Sequence, residues 1–149
     1  MTTEEKVDQL IKLAHDQIAK PYQYATQEGS IEAFDCSSFI QYLFQQIDIS
    51  LPRSALLQAG QSDGQELDLS SINNFQAGDL VFMRSDTGHY RDDLFAGRAI
   101  DIGHVALMTG PDEIIHAKSG RGVIKQKLSE LISDPHYKIV LAKRLLKSV

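Results

Sequence analysis

Apolar residues recur at helical spacing near the start of the chain, where Val7, Leu10, Ile11, Ala14 and Ile18 share one face. Thr2 or Thr3 as N-cap, Glu4 and Glu5 in the first turn and Pro21 just past the end bound a helix over residues 3–19. Residues 22–34 hold Gly29, Ser30 and no sustained period, and read as a loop. A second stripe, Phe39, Ile40, Leu43, Phe44 and Ile47, is wide enough for a buried helix that opens at Asp35 or Cys36, with Asp35 a good N-cap. Leu51-Pro52 then breaks the chain, Ser54 caps a short third helix to about residue 60, and a polar stretch runs to Asn74.

From there the pattern is extended. Strands are predicted over 80–83, 105–109, 113–118, 123–127 and 138–146, the last able to split, with Pro111-Asp112 and residues 120–122 as turns and one helical turn over 128–132. Helices first and strands afterwards predict an α+β fold with an antiparallel sheet, as a single domain over residues 1–149. Between Met83 and Gly103 lies RSDTGHYRDDLFAGRAIDI, too long for an ordinary connection. Its charged residues Arg84, Asp86, Arg91, Asp92, Asp93 and Arg98 read as a solvated loop, with a lid as the alternative.

Composition narrows the classes. A chain of 149 residues that is 42% apolar can build one core without staples, because a chain of this length buries roughly two thirds of its unfolded surface. The single cysteine excludes an internal disulfide and a thiolate zinc site. A net charge of −5 without a basic block lacks the footprint of a nucleic-acid binder. MTTEEKVDQL has no apolar signal region and no run of about 18 apolar residues occurs anywhere, so the expectation is no membrane span and a cytoplasmic protein as written. Action in the periplasm or cell wall requires delivery, or a signal already removed.

The lone Cys36 follows a helix N-cap, where the helix dipole and unpaired N–H groups favour thiolate, so its pKa is expected well below the usual value of about 8.5. Two of the five histidines are placed to join it: His104 opens GHVALMTG and His116 lies in EIIHAKSG, across the Pro111-Asp112 turn. A two-residue loop pairs Gly110 with Glu113 and sends the two imidazoles to opposite faces. An odd register, with 109 opposite 113, makes His116 the diagonal neighbour of His104, within hydrogen-bonding reach. A cysteine at a helix start with two histidines on a facing sheet supplies nucleophile, base and orienter for acyl transfer. Zinc hydrolysis by His89, Asp101, His104 and His116 is the competing chemistry, and it leaves the Asp-Cys-Ser block unexplained.

In order, KPYQYATQEGSIEAFDCSSFIQYLFQQIDISLPRSALLQAG, QAGDLVFM and GHVALMTGPDEIIHAKSGRGV resemble the NlpC-type family of cell-wall cysteine peptidases, from about Tyr22 to Val123. The resemblance implies a papain-like α+β fold and cleavage of the γ-D-glutamyl to diamino acid bond in peptidoglycan stem peptides. It makes Cys36 the nucleophile, His104 the general base and His116 the orienting third residue, and Tyr22 an active-site tyrosine. It implies that Asp35 and Ser37 bind the ammonium of a free L-alanyl end, and it needs no metal or organic cofactor. Ser38 departs from the usual glycine after Cys-Ser, and residues 27–29 match the usual paired glycines loosely. The alternatives are an amidase or acyltransferase on the same fold, or a catalytically idle peptidoglycan-binding protein. Peptidoglycan recycling, delivery as an effector and phage lysis are all compatible settings, and oligomeric state is left open.

Overall fold

The computed structural model describes residues 1–27, 29–84, 89, 90, 95, 97, 98 and 100–146. Asp86, Arg91, Asp92 and Asp93 therefore lie outside the described residues.

Three helices precede the sheet. Helix α1 (Thr3–Asp16) starts with a capping box in which the Thr2 hydroxyl accepts from the Glu5 N–H and the Glu5 carboxylate accepts from the Thr2 N–H. It ends earlier than its apolar stripe suggests because the chain turns away to join the sheet. Ala19 adopts φ 80°, its N–H bonds to the Val123 carbonyl at 3.0 Å, and the Val123 N–H returns to the Lys20 carbonyl at 2.9 Å. This docking needs Gly122, whose φ is 80° and on which a Cβ would stand 2.5 Å from the Lys20 oxygen. Helices α2 (Cys36–Gln45) and α3 (Ala55–Gln61) open on Asp35 and Ser54, the caps read from the sequence.

Six strands form one antiparallel sheet in the order β1-β8-β2-β5-β6-β7: β1 (Gln65–Glu66), β2 (Leu80–Arg84), β5 (His104–Gly110), β6 (Glu113–Lys118), β7 (Gly122–Lys127) and β8 (Lys138–Arg144). Strands β3 (His89–Tyr90) and β4 (Asp101–Ile102) pair separately, and α4 (Leu128–Ile132) follows β7. Strand alternation builds a core on each side of the sheet. Phe82, Val105, Leu107, Ile115 and Leu141 pack with Phe39, Ile40, Leu43 and Phe44 of α2. Val81, Ala106, Met108, Ile114 and Ala142 pack with Leu128 and Leu131 of α4. The α+β antiparallel class is the one the order of elements predicts.

Two described residues of the long connection after β2 contact the rest of the fold. Phe95 is buried in the α2-side core, and Arg98 reaches Glu66 with two hydrogen bonds of 2.7 and 3.2 Å.

Candidate active site

Asp35 sets the start of α2. Its carboxylate accepts from the Ser38 N–H at 2.8 Å, and the Ser38 hydroxyl in turn accepts from the Asp35 N–H at 3.0 Å and from the Thr26 hydroxyl at 3.0 Å. Ser38, the departure from the usual glycine, thus completes a capping box and fastens the preceding loop to the helix. Cys36 is the first residue of that helix. It lines one cleft with His104, which brings the nucleophile candidate to the start of β5.

The hairpin β5–β6 resolves the register question with a bulge. Gly110 pairs with Glu113, as a two-residue loop requires, but Met108 then pairs with Ile114 and Leu107 with Ile115, leaving Thr109 as the extra residue. Pro111 holds φ near −65° and so excludes the primed turns whose twist suits a two-residue hairpin, while Asp112 takes φ 50°. The ladder absorbs the mismatch within one residue. Beyond the bulge His116 becomes the diagonal neighbour of His104, and His104 Nε2 lies 2.8 Å from His116 Nδ1. Alternation places both imidazoles on the α4 side of the sheet rather than on the side facing α2. The thiol and His104 come together at the strand's end, where both line one cleft of about 810 Å³ with Tyr22, Ser37, Arg53 and Tyr137.

Tyr22 is held there by a parallel bridge to Phe34, in which Phe34 N–H bonds to the Pro21 carbonyl and Gln23 N–H to the Phe34 carbonyl, each at 3.1 Å. The bridge binds the tyrosine to the segment that leads into Asp35 and Cys36. Burial, with the nearby Cys36 and Asp35, pushes the Tyr22 hydroxyl up to about 12, so it stays a proton donor at neutral pH.

The electrostatics depart from the sequence expectation at Cys36. Burial pushes its thiol up to about 11, and the Asp35 charge adds to this, outweighing the N–H groups of Val105 and Ser37 and the nearby Arg53. Desolvation, which depends on the packed cleft, wins over the helix start. Burial and the neighbouring His116 hold His104 well below the usual histidine range. Burial also lowers His116 to about 4, against an opposing hydrogen bond that it donates to Gln126. At rest, the site is a neutral thiol beside neutral imidazoles.

Arg53, which sequence reading missed, dominates the Asp35 corner. One guanidinium nitrogen lies 2.6 Å from one Asp35 oxygen, and the other lies 3.2 Å from the second oxygen and 2.9 Å from the Ser37 hydroxyl. Burial raises the Asp35 carboxyl, but hydrogen bonds from Arg53 and Ser38 and the guanidinium charge prevail and hold it below the usual carboxylate range. The only signal was a lone arginine between a proline and a helix cap. Tyr137 was missed as well: its ring meets His104 edge-on, with centroids 5.4 Å apart. His136 is exposed and lines the same cleft, whereas His15 is exposed on α1. Among the described residues no three His, Cys, Asp or Glu side chains converge to hold a metal, and the side chain of His89 lies outside that description.

The NlpC/P60 family model matches residues 19–142, a stretch that contains the cleft and the sheet around it. The chain belongs to the NlpC/P60 family. It is 32% identical over 113 residues to the murein DD-endopeptidase MepS/murein LD-carboxypeptidase of Escherichia coli (strain K12), covering 74% of this chain and 50% of that protein. It is 31% identical over 107 residues to the probable endopeptidase p60 of Listeria grayi, covering 70% of this chain and 17% of that one. The chain thus spans half the length of one relative and less of the other. Among solved structures, an NlpC/P60 family protein from Bacillus cereus ATCC 10987 superposes with a TM-score of 0.71 at 26% identity, over 95% of this chain and 40% of that one. No helix among the described residues is long and apolar enough to cross a membrane.

Proposed function

We propose that this chain is a cysteine peptidase of peptidoglycan stem peptides, cleaving the bond between γ-D-glutamyl and a diamino acid through a thioester. The observation that carries the reading is the placement of Cys36, at the start of α2, in one cleft with His104, whose Nε2 is hydrogen-bonded to the buried His116. Membership of the NlpC/P60 family and the endopeptidase names of MepS and p60 support it.

Because the resting thiol and imidazole are both neutral, the proton passes from sulfur to His104 as the sulfur attacks the amide carbonyl. The tetrahedral oxyanion is met by N–H groups in the first turn of α2 and by the protonated Tyr22 hydroxyl. His104 then gives its proton to the departing amine, and water, activated by the same imidazole, hydrolyses the thioester. His116 orients His104 throughout.

Asp35 already answers Arg53, so a substrate ammonium would have to compete with a bound guanidinium. This favours substrates chosen without a free L-alanyl amine, including cross-linked wall, over strict recycling of free peptides. Acetylating that amine should change kcat/KM by less than about tenfold, a difference of about 1.4 kcal/mol.

The test is mass spectrometry of muropeptides and intact sacculi incubated with wild type and Cys36→Ala. Cleavage after D-glutamate by wild type alone is the expected result. No cleavage by a folded wild-type protein would overturn the reading, in favour of another acyl substrate or a binding role.

A further inference from the structure

Behind the histidine pair the structure continues the hydrogen-bonded chain to the surface. His116 Nε2 lies 2.9 Å from Gln126 Oε1, and Gln126 Nε2 donates to Glu130 Oε1 at 2.8 Å. Gln126 is on β7 and Glu130 is on the exposed face of α4, which explains why neither stood out in the sequence. We infer that Gln126 and Glu130 are positioning residues that set the tautomers of both histidines and leave Nδ1 of His104 as the lone pair that receives the Cys36 proton.

The argument follows donors and acceptors from the surface inward. A carboxylate only accepts, so Glu130 turns the Gln126 amide to present its NH₂ outward and its carbonyl oxygen inward. An amide oxygen also only accepts, so His116 must carry its proton on Nε2. A neutral imidazole has one N–H, and burial keeps both rings neutral; His116 Nδ1 is therefore an acceptor. Its partner 2.8 Å away, His104 Nε2, must donate. That places the His104 proton on Nε2 and frees Nδ1. The opposite amide orientation would reverse each bond in turn and place the His104 proton on Nδ1, leaving the ring with no free lone pair to take a proton from Cys36.

The kinetic part of the test rests on the peptidase reading; the tautomers are measured apart from it. Long-range ¹H–¹⁵N spectra of the full chain with labelled histidine should show both His104 and His116 protonated on Nε2. In Glu130→Lys the ammonium donates to Gln126 Oε1, the amide turns over, and both histidines move to the Nδ1–H form. Its kcat should fall by about 10² to 10⁴, the range that general-base catalysis supplies, with KM within about twofold. Gln126→Leu, which removes the acceptor, should also lower kcat. The exchange Gln126→Glu with Glu130→Gln restores an inward acceptor held by an amide donor, and should recover the Nε2–H tautomers and most of kcat. Wild-type His104 protonated on Nδ1 would overturn the inference. So would unchanged tautomers and unchanged kcat in both single variants. The expected tautomers in a protein that cleaves no muropeptide would uphold this chain of bonds and remove the peptidase reading instead.

Discussion

At the scale of single residues, the packing around Cys36, half-buried on the cleft wall, outweighs its place at a helix start. Cys36 has the helix start expected to lower its pKa, yet burial pushes it up to about 11. Alkylation of the resting protein by iodoacetamide should therefore be slow at pH 7 and climb steadily to pH 10. A plateau already reached near neutrality would mean that a thiolate and imidazolium pair exists at rest. His116 makes a second prediction. Its folded pKa of about 4 lies below the unfolded value of about 6.5, so the unfolded chain binds the proton first as pH falls. Stability from this residue is complete above about pH 6.5 and is lost down to about pH 4, worth roughly 3 kcal/mol across the window. Urea titrations at several pH values should show this slope in wild type and a shallower one in His116→Gln, where the part from the buried His104 remains.

At the scale of elements, the hairpin β5–β6 turns a local mismatch into a functional register. Pro111 and Asp112 make the two-residue loop that alone would separate the histidines, and the bulge at Thr109 brings them back to one face. The Thr109 hydroxyl ties the bulge down, donating to the Glu113 carboxylate at 2.9 Å. The same turn also holds α4. The Asp112 carboxylate accepts from the Ser129 N–H at 2.7 Å and from the Ser129 hydroxyl at 2.6 Å, replacing the side-chain cap that Lys127 does not provide. Asp112→Asn retains the tolerance for positive φ and part of the cap, whereas Asp112→Ala loses both. Thermal denaturation should find the alanine variant about 1–2 kcal/mol less stable and the asparagine variant nearer wild type.

At the scale of the whole molecule, Arg53 ties three separate stretches into the wall of the cleft. Besides Asp35 and Ser37 on α2 it donates to the Thr26 carbonyl at 2.7 Å, joining the loop before the helix to the segment before α3. Removing it in Arg53→Met leaves the buried Asp35 without its main partner. We expect a loss of roughly 2–4 kcal/mol in denaturant unfolding. Because the Asp35 pKa is held down in the folded state, its contribution is present above the unfolded value of about 3.9 and is lost as pH falls through the lower folded value. Wild type and Arg53→Met should therefore converge in stability at strongly acid pH.

What the sequence determined by itself is what depends on near neighbours. Apolar period and caps placed α2 behind Asp35, α3 behind Ser54 and the β6 strand over Glu113–Lys118, and the ordered blocks around Cys36, His104 and His116 carried the family resemblance. Tertiary structure alone decided the rest. Register at Thr109 depends on how a turn's twist is absorbed by its partner strand, and the burial of Phe95 depends on its finding a place in the core. The Arg53–Asp35 pair and the Gln126–Glu130 contact join residues whose meeting follows from packing and not from spacing. The thiol's acidity was misread for the same reason: a helix start is local, whereas the partial burial of Cys36 on the cleft wall comes from elements that only packing brings around it.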